Sequence, residues 1–216
     1  RLAIVDVAHG AQPLHGAERR TVLAVNGEIY NHRELRGALE APYAFSTESD
    51  CEVILALYEE RDTDFLSDLN GIFAFVLHDP AGNDGEGRYL VARDPVGVVP
   101  LDMGWDDDGR LHVASELKAL VEVCATVQEF PPGHVLDSVR GPEPEPYHSW
   151  AWTDYEAVAG APGGAAEIRA GLEDAVHRQL MSDVPYGVLL SGGLDSSIIA
   201  AVTARYAAHR VEDDDR

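Results

Sequence analysis

The stretch Val184-Pro185-Tyr186-Gly187-Val188-Leu189-Leu190-Ser191-Gly192-Gly193-Leu194-Asp195-Ser196-Ser197 constrains this chain more than any other. A short apolar run ends in a glycine pair, and a helix-forming run, Ile198 to Ala208, follows at once. Strand, small-residue turn and helix together present backbone N–H groups to a phosphate. The glycines allow close approach, and the helix N-terminus adds unpaired donors and a partial positive charge. Ser191, Ser196 and Ser197 add hydroxyl donors, and Asp195 is placed to hold a magnesium ion against the phosphates. No Lys follows the glycines, so this is not a Walker A loop. One strand and one helix cannot bury the faces of a parallel α/β sheet, so a fragment of a larger domain is expected. The opening at Arg1, with no Met and directly into Leu2-Ala3-Ile4-Val5, predicts truncation at that end too.

Charge and cysteine usage narrow the partners. Sixteen basic against 38 acidic residues give a net charge of −22. That balance argues against nucleic acid and anionic membrane. Cys51 and Cys124 lack metal-like spacing, so a reducing, cytoplasmic setting without a disulfide framework is expected. No run approaches the ~20 apolar residues needed to span a bilayer, and no signal peptide opens the chain.

Taken in order, Arg1 to Val7 reads as a strand and Thr21 to Val25 as a second, running into Asn26-Gly27, a tight-turn signal. Asn31 is expected to cap a helix from His32 to Leu39, and Ser49 or Asp50 to cap one from Cys51 to Glu60. On that second helix Val53, Ile54, Leu57 and Tyr58 share a face. A short helix at Thr63 to Leu69 follows. Strands are expected at Ile72–His78, Arg88–Ala92, Leu101–Trp105, Arg110–Ala114 and His134–Leu136, with a short helix near Glu116–Val123. Residues 1–140 are therefore one α+β domain and 141–164, rich in Pro, Gly and Glu, a linker. Residues 165–216 begin a second domain, whose first helix repeats Ile168, Leu172, Val176 and Leu180 as a buried stripe.

Within the first domain, Arg1 beside an apolar strand, Glu28 after the tight turn and Asp50 at a helix start are suited to a zwitterion. An Arg fork matches a carboxylate, and two acids match an ammonium group. The alternatives from the residues alone are a plain N-cap for Asp50 and a surface position for Glu28.

Ordered motifs then bring in a family. The run Ser-Gly-Gly-Leu-Asp-Ser-Ser (Ser191 to Ser197) resembles the pyrophosphate loop of N-type ATP pyrophosphatases. Arg-Leu-Ala-Ile-Val-Asp (1–6), Gly-Ala-Gln-Pro-Leu (10–14), Val-Asn-Gly-Glu-Ile-Tyr-Asn (25–31) and Ser-Asp-Cys-Glu-Val-Ile (49–54) resemble the glutaminase half of glutamine-hydrolysing asparagine synthetases, bacterial B type. Asn-Gly-Ile-Phe-Ala-Phe (70–75), Ala-Arg-Asp-Pro-Val-Gly (92–97) and Ala-Ser-Glu-Leu-Lys-Ala-Leu (114–120) continue the likeness, which covers essentially all 216 residues. A β-lactam-forming synthetase and a non-catalytic glutamine- or nucleotide-binding protein are the alternative readings.

The resemblance implies an α+β N-terminal-nucleophile (αββα) glutaminase domain followed by the start of a parallel α/β ATP-pyrophosphatase (HUP-like) domain. It implies that Arg1 binds the glutamine α-carboxylate, that the backbones of Ile4 and Val5 line the same pocket, and that Glu28 and Asp50 hold the ammonium. The Asn26 side chain and Gly27 N–H would form an oxyanion hole, where donors fixed on developing charge matter most. Leu189, Leu190 and Ser191 would meet the adenylate, and Gly192, Gly193, Asp195 and Ser196 the pyrophosphate, with Asp195 near Mg2+. The implied substrates are glutamine, aspartate and ATP, and the intact enzyme is expected to form a homodimer. The family's cysteine nucleophile stands at the mature N-terminus with its own amine as base. No residue here matches it, and Cys51, next to a substrate-binding Asp, is not expected to replace it, so the fragment is expected to be inactive. Family members often carry Pro-Leu-Tyr where this chain has Pro100-Leu101-Asp102.

Overall fold

The computed structural model describes residues 4–16, 20–160 and 163–207, which form two compact units, 1–153 and 154–216. The strands of the first unit are β1 (Leu14–His15), β2 (Val22–Ile29), β3 (Gly71–Asp79), β4 (Arg88–Arg93), β5 (Asp102–Trp105), β6 (Leu111–Ala114), β7 (Thr126–Glu129), β8 (His134–Asp137) and β9 (Glu145–Pro146). Two helices, α1 (His32–Gly37) and α2 (Val53–Arg61), lie between β2 and β3 in sequence. A six-stranded antiparallel sheet runs β1-β2-β3-β4-β8-β9, and a three-stranded one runs β6-β5-β7.

Alternation along the central strands sorts their side chains onto two cores. Phe73, Phe75 and Leu77 of β3 and Leu90 and Ala92 of β4 pack with the α2 residues Val53, Ile54, Leu55 and Leu57. On the opposite face, Ala74 of β3, Val91 of β4 and Leu136 of β8 meet Met103 of β5, Leu101 and Phe130. The layers of the first unit are thus helix, sheet and sheet. All of Val53 to Tyr58 is buried, so the apolar surface of α2 is not confined to the face shared by Val53, Ile54, Leu57 and Tyr58.

Several local expectations change for identifiable reasons. Ile4 to His9 forms bends and turns rather than a strand, and residues 1–3 lie outside the described residues. Asp6 takes a left-handed φ of +45° and its carbonyl accepts the Gly10 N–H, which folds the segment back. Asn26-Gly27 does not turn the chain; it continues β2, paired with Ala74 and Phe73. Gly27 is required there because φ is +144° and a Cβ would stand 2.0 Å from the Ile72 carbonyl oxygen. Asn31 precedes α1, but its side chain instead accepts the Asn70 N–H and donates to the Asp68 carbonyl, bridging to the start of β3. Neither Ser49 nor Asp50 caps through its side chain; a 3-10 turn, Asp50–Glu52, leads into α2. The helix expected near 116–123 is a 3-10 turn at Leu117–Ala119. Cys124 is half-buried, not a core residue. β1, β7 and β9 escaped the sequence reading. β9 pairs with β8, so residues 141–153, expected as linker, belong to the first unit.

The second unit contains α3 (Tyr155–Val158), α4 (Ala165–Gln179) and α5 (Leu194–Ala207). Val176 and Val202 are buried, the His177 and Tyr206 rings stack at 4.3 Å, and Arg205 reaches Glu173 at 2.9 Å. The expected stripe holds at Val176 and fails at Ile168, which is 72% exposed. Residues 184–190 are not a strand, and Leu189 is 94% exposed. A strand needs a hydrogen-bonded neighbour, and the described residues of this unit include no other strand. The acidic tail lies outside the described residues.

Replacing Gly27 by Ala is expected to cost about 3 kcal/mol or more, because strained φ and a backbone collision combine. Gly171→Ala, in an exposed turn of α4 with open space around its Cβ position, is expected to gain about 0.5–1 kcal/mol instead. Urea unfolding of the two variants measures both.

Candidate functional site

Strand β2 carries the site's centre. Asn26 and Glu28 stand two residues apart, opposite Ala74 and Ile72 of β3, and so share the strand face that turns toward the second sheet. Beyond Ile29 the chain passes through α1 and returns at Asp50. The Ile29 N–H donates to Asp50 Oδ2 at 2.6 Å, which locks the Asp50 carboxylate beside β2. Asp50 is 3% exposed.

Glu28 and Asp50 are hydrogen-bonded to each other, and the Ile4 N–H donates to Glu28. Two carboxyl groups so close cannot both ionise easily. Partial burial, and then the charge of Asp50, push the Glu28 carboxyl up to about 8, against the opposing pull of the Ile4 amide. Near neutral pH the Glu28 carboxyl therefore keeps its proton. Burial, and then Glu28, Asp94 and Asp50, raise the neighbouring Tyr30 phenol to about 12, so it stays a neutral donor. His32 is buried, and desolvation lowers its pKa despite the attraction of Asp50. Its Nδ1 has no hydrogen-bond partner among the described residues.

Around Asn26, the Nδ2 amide donates to Ser115 Oγ at 3.4 Å, immediately after β6. Gln12 clamps the preceding residue: it accepts the Val25 N–H at 2.8 Å and donates to the Val25 carbonyl at 2.6 Å. Asn26, Gln12 and Ser115 line a 250 Å3 cavity with Val113 and Ala114.

The first-unit candidates within the described residues thus gather in one place. Ile4, Glu28 and Asp50 make one hydrogen-bonded group; Asn26 and Gly27 lie on the same strand beside it, and Val5 is buried one residue from Ile4. Arg1 lies outside the described residues. Cys51 donates to the Gly27 carbonyl at 3.5 Å, and burial, with Asp50 and Glu28 nearby, pushes its thiol well up. A buried thiol of that kind is a poor nucleophile. Tyr30, His32, Gln12 and Ser115 were missed; Tyr30, Gln12 and Ser115 lay inside motifs already singled out, but nothing in the sequence tells which side chains converge.

In the second unit, Leu189 to Ser196 form one exposed segment ending in the first turn of α5. Gly192 takes φ +84°, and nothing lies within 4 Å of where its Cβ would be. Ser191 and Ser196 hydroxyls sit 2.9 Å apart, while Ser196 and Ser197 hydroxyls donate to the Gly193 carbonyl at 3.1 and 2.7 Å. These bonds hold an open turn at the start of α5, where the unpaired amides of a helix N-terminus suit an anion. Asp195 is exposed on that turn. The described residues contain no group of three or more His, Cys, Asp or Glu able to hold a metal alone. A single carboxylate fits magnesium only when phosphate oxygens and water complete its shell.

With this geometry in view, the comparisons are specific. A family described as glutamine amidotransferase domain matches residues 1–148, and one described as asparagine synthase matches residues 167–212. Asparagine synthetase B (glutamine-hydrolysing) of Escherichia coli K12 is 56% identical over 216 residues, all of this chain and 38% of the relative. A glutamine-hydrolysing asparagine synthetase of Brassica oleracea is 49% identical, covering 96% of this chain and 34% of the relative. The chain thus spans little more than a third of the length of these curated relatives. Among solved structures, glutamine phosphoribosylpyrophosphate amidotransferase from B. subtilis, complexed with ADP and GMP, superposes with a TM-score of 0.53 at 30% identity, over 64% of this chain and 32% of that one. A structure of the allosteric regulatory enzyme of purine biosynthesis gives 0.55 at 28%, over 68% and 34%. No helix among the described residues is long and apolar enough to cross a membrane.

The Glu28 proton makes stability depend on pH. Between pH 4.5 and about 8 the folded chain binds more proton at Glu28 than the unfolded chain, so this group's contribution falls as pH rises through that window. Glu28→Gln is expected to gain stability relative to the parent on going from pH 5.5 to 8, read by urea unfolding at both values.

Proposed function

The chain belongs to the glutamine amidotransferase domain family, and from that premise we propose that its first unit binds free glutamine, with the Glu28–Asp50 pair receiving the α-ammonium. The observation that carries the proposal is this pair: two acids held in hydrogen-bonding contact, one at about pKa 8, make a site that exchanges its proton for a cation. Ile4 and Val5 border the ligand through their backbone, Arg1 takes the α-carboxylate, and Asn26 with the Gly27 N–H faces the carboxamide oxygen. In that position the two donors would stabilise negative charge developing on the oxygen as the amide is attacked.

For the longer protein we propose asparagine synthesis. Glutamine is hydrolysed, its ammonia passes to a second site, and the side-chain carboxyl of aspartate, activated by ATP as an acyl adenylate, takes the ammonia with loss of AMP. The second unit supplies the start of the nucleotide site. Leu189, Leu190 and Ser191 lie toward the adenylate; the Gly192–Gly193 turn, Ser196 and the α5 N-terminus take the pyrophosphate; Asp195 orients the magnesium. Asp195 would hold that ion, which would supply charge neutralisation of the polyphosphate. Separate sites protect the adenylate and ammonia from water. The likeness to glutamine-hydrolysing relatives supports this reading, as does the open, donor-rich turn before α5. The two free thiols agree with a cytoplasmic protein, which we also propose, along with homodimer formation by the longer chain.

Calorimetry with the 216-residue chain tests the central reading. Glutamine binds at pH 7 and releases a proton, whereas glutaramate, which has no α-amine, binds much more weakly. Asp50→Asn weakens glutamine binding by about tenfold or more, the worth of a hydrogen bond to a charged group. No ammonia appears, because burial or nearby charge raises both thiols. Equal affinity for glutamine and glutaramate, or none for either, contradicts the reading.

A further inference from the structure

The site depends on Asp50 arriving opposite Glu28 at the right place, yet Asp50 follows an irregular segment, Phe45 to Ser49, with no helix or strand to fix it. That segment is instead gripped by Glu52. Its side chain is almost wholly inside the protein, at 1% exposure. Oε1 accepts the Ser46 N–H at 2.7 Å and the Ser46 hydroxyl at 2.9 Å; Oε2 accepts the Thr47 N–H at 2.7 Å and the Thr47 hydroxyl at 2.6 Å. Four donors use both lone-pair positions of each oxygen, the full acceptor capacity of a carboxylate. The Thr47 hydroxyl in turn accepts the Ser49 N–H at 3.1 Å, carrying the restraint to the residue before Asp50.

Two outer contacts hold the same segment from other sides. Arg36 donates to the Thr47 and Ser49 carbonyls at 3.2 and 2.7 Å, with its guanidinium 3.9 Å from the Phe45 ring centre. Asp6 Oδ2 accepts the Glu48 N–H at 2.8 Å, tying this segment to the turn that begins at Ile4. The Glu52 carboxylate bonds to Ser46 and Thr47, while the Ile29 amide goes to Asp50, so the effect of Glu52 on the site runs through the segment.

We propose that Glu52 is a positioning residue for ammonium recognition: its carboxylate, clamping Ser46 and Thr47, sets the Asp50 carboxylate against Ile29 and Glu28. This rests on the reading of the pair as the α-ammonium site. Glu52→Gln keeps the volume but replaces one oxygen with an amide NH2, which faces donors it cannot accept from. The segment then shifts, and Asp50 loses its fixed place.

The test uses the 216-residue chain, with glutamine as the probe and amide hydrogen exchange at Ile29 as an independent readout. Glu52→Gln is expected to weaken glutamine binding about tenfold and to speed Ile29 exchange, as loss of a charge-assisted network would. Ser46→Ala with Thr47→Val, which removes the two hydroxyl donors and the Thr47 acceptor of the Ser49 N–H but keeps both backbone amides on Glu52, is expected to move both readouts the same way by less. It decides the matter should Glu52→Gln fail to fold. Glu60→Gln is the control, because Glu60 likewise holds two backbone amides, those of Glu40 and Ala41, away from the site. It lowers stability and leaves both readouts unchanged. Parent-like binding and Ile29 exchange in the Glu52 and Ser46/Thr47 variants overturn the proposal while leaving the glutamine reading intact. A parent that does not bind glutamine overturns that reading, and with it the ammonium role of Glu52, even where Ile29 exchange still responds.

Discussion

Two carboxyl groups facing each other in a half-buried place are costly unless the fold compels the meeting and supplies a proton or a cation. Here the compulsion comes from both sides. Glu28 sits on a central strand that cannot slip, since Gly27 lets β2 lie against the Ile72 carbonyl more closely than any side chain would allow. Asp50 is pinned by the Ile29 amide on that same strand. The helix, sheet and sheet layers behind them make the strand rigid, and the price is a raised Glu28 pKa. Under the proposed function this charge conflict serves recognition: an ammonium ion would relieve what a single proton only half relieves.

Much of this was legible because the residues involved announce themselves locally. The apolar runs 72–78 and 88–92 predicted strands that the structure contains, and alternation along the first assigns Phe73 and Ala74 to opposite cores. Short motifs also brought Asn26, Glu28 and Asp50 forward. What the residues did not give was the backbone role of Asn26-Gly27. The pair looks like a hairpin turn because both residues tolerate positive φ, and only the distance to β3 shows that the glycine is there for room. The polar residues Asn31 and Asp50 carry the same lesson. Each is a good cap by type, but tertiary partners, Asn70 and Asp68 for Asn31 and Ile29 for Asp50, compete for the side chain and win.

The second unit shows the opposite case. Residues 184–190 have the composition of a buried parallel strand, and the helix after them forms as expected from Leu194 to Ala207. Helix hydrogen bonds are internal to the segment, whereas a strand's bonds must go to a neighbour. So α4 and α5 stand as helices paired through Val176, Val202 and the Glu173–Arg205 contact, while the apolar run beside them is exposed. The Gly192–Gly193 turn keeps its open shape because its bonds, too, are local.

The most direct measurement is a 13C NMR titration of the Glu28 carboxyl carbon, in the chain alone and with saturating glutamine. The account predicts a midpoint near pH 8 in the free chain, falling toward the ordinary carboxylate range of roughly 4 once the ammonium is bound. An ordinary midpoint in the free chain, or a raised one that glutamine leaves in place, would contradict the idea that this pair of acids waits for a cation.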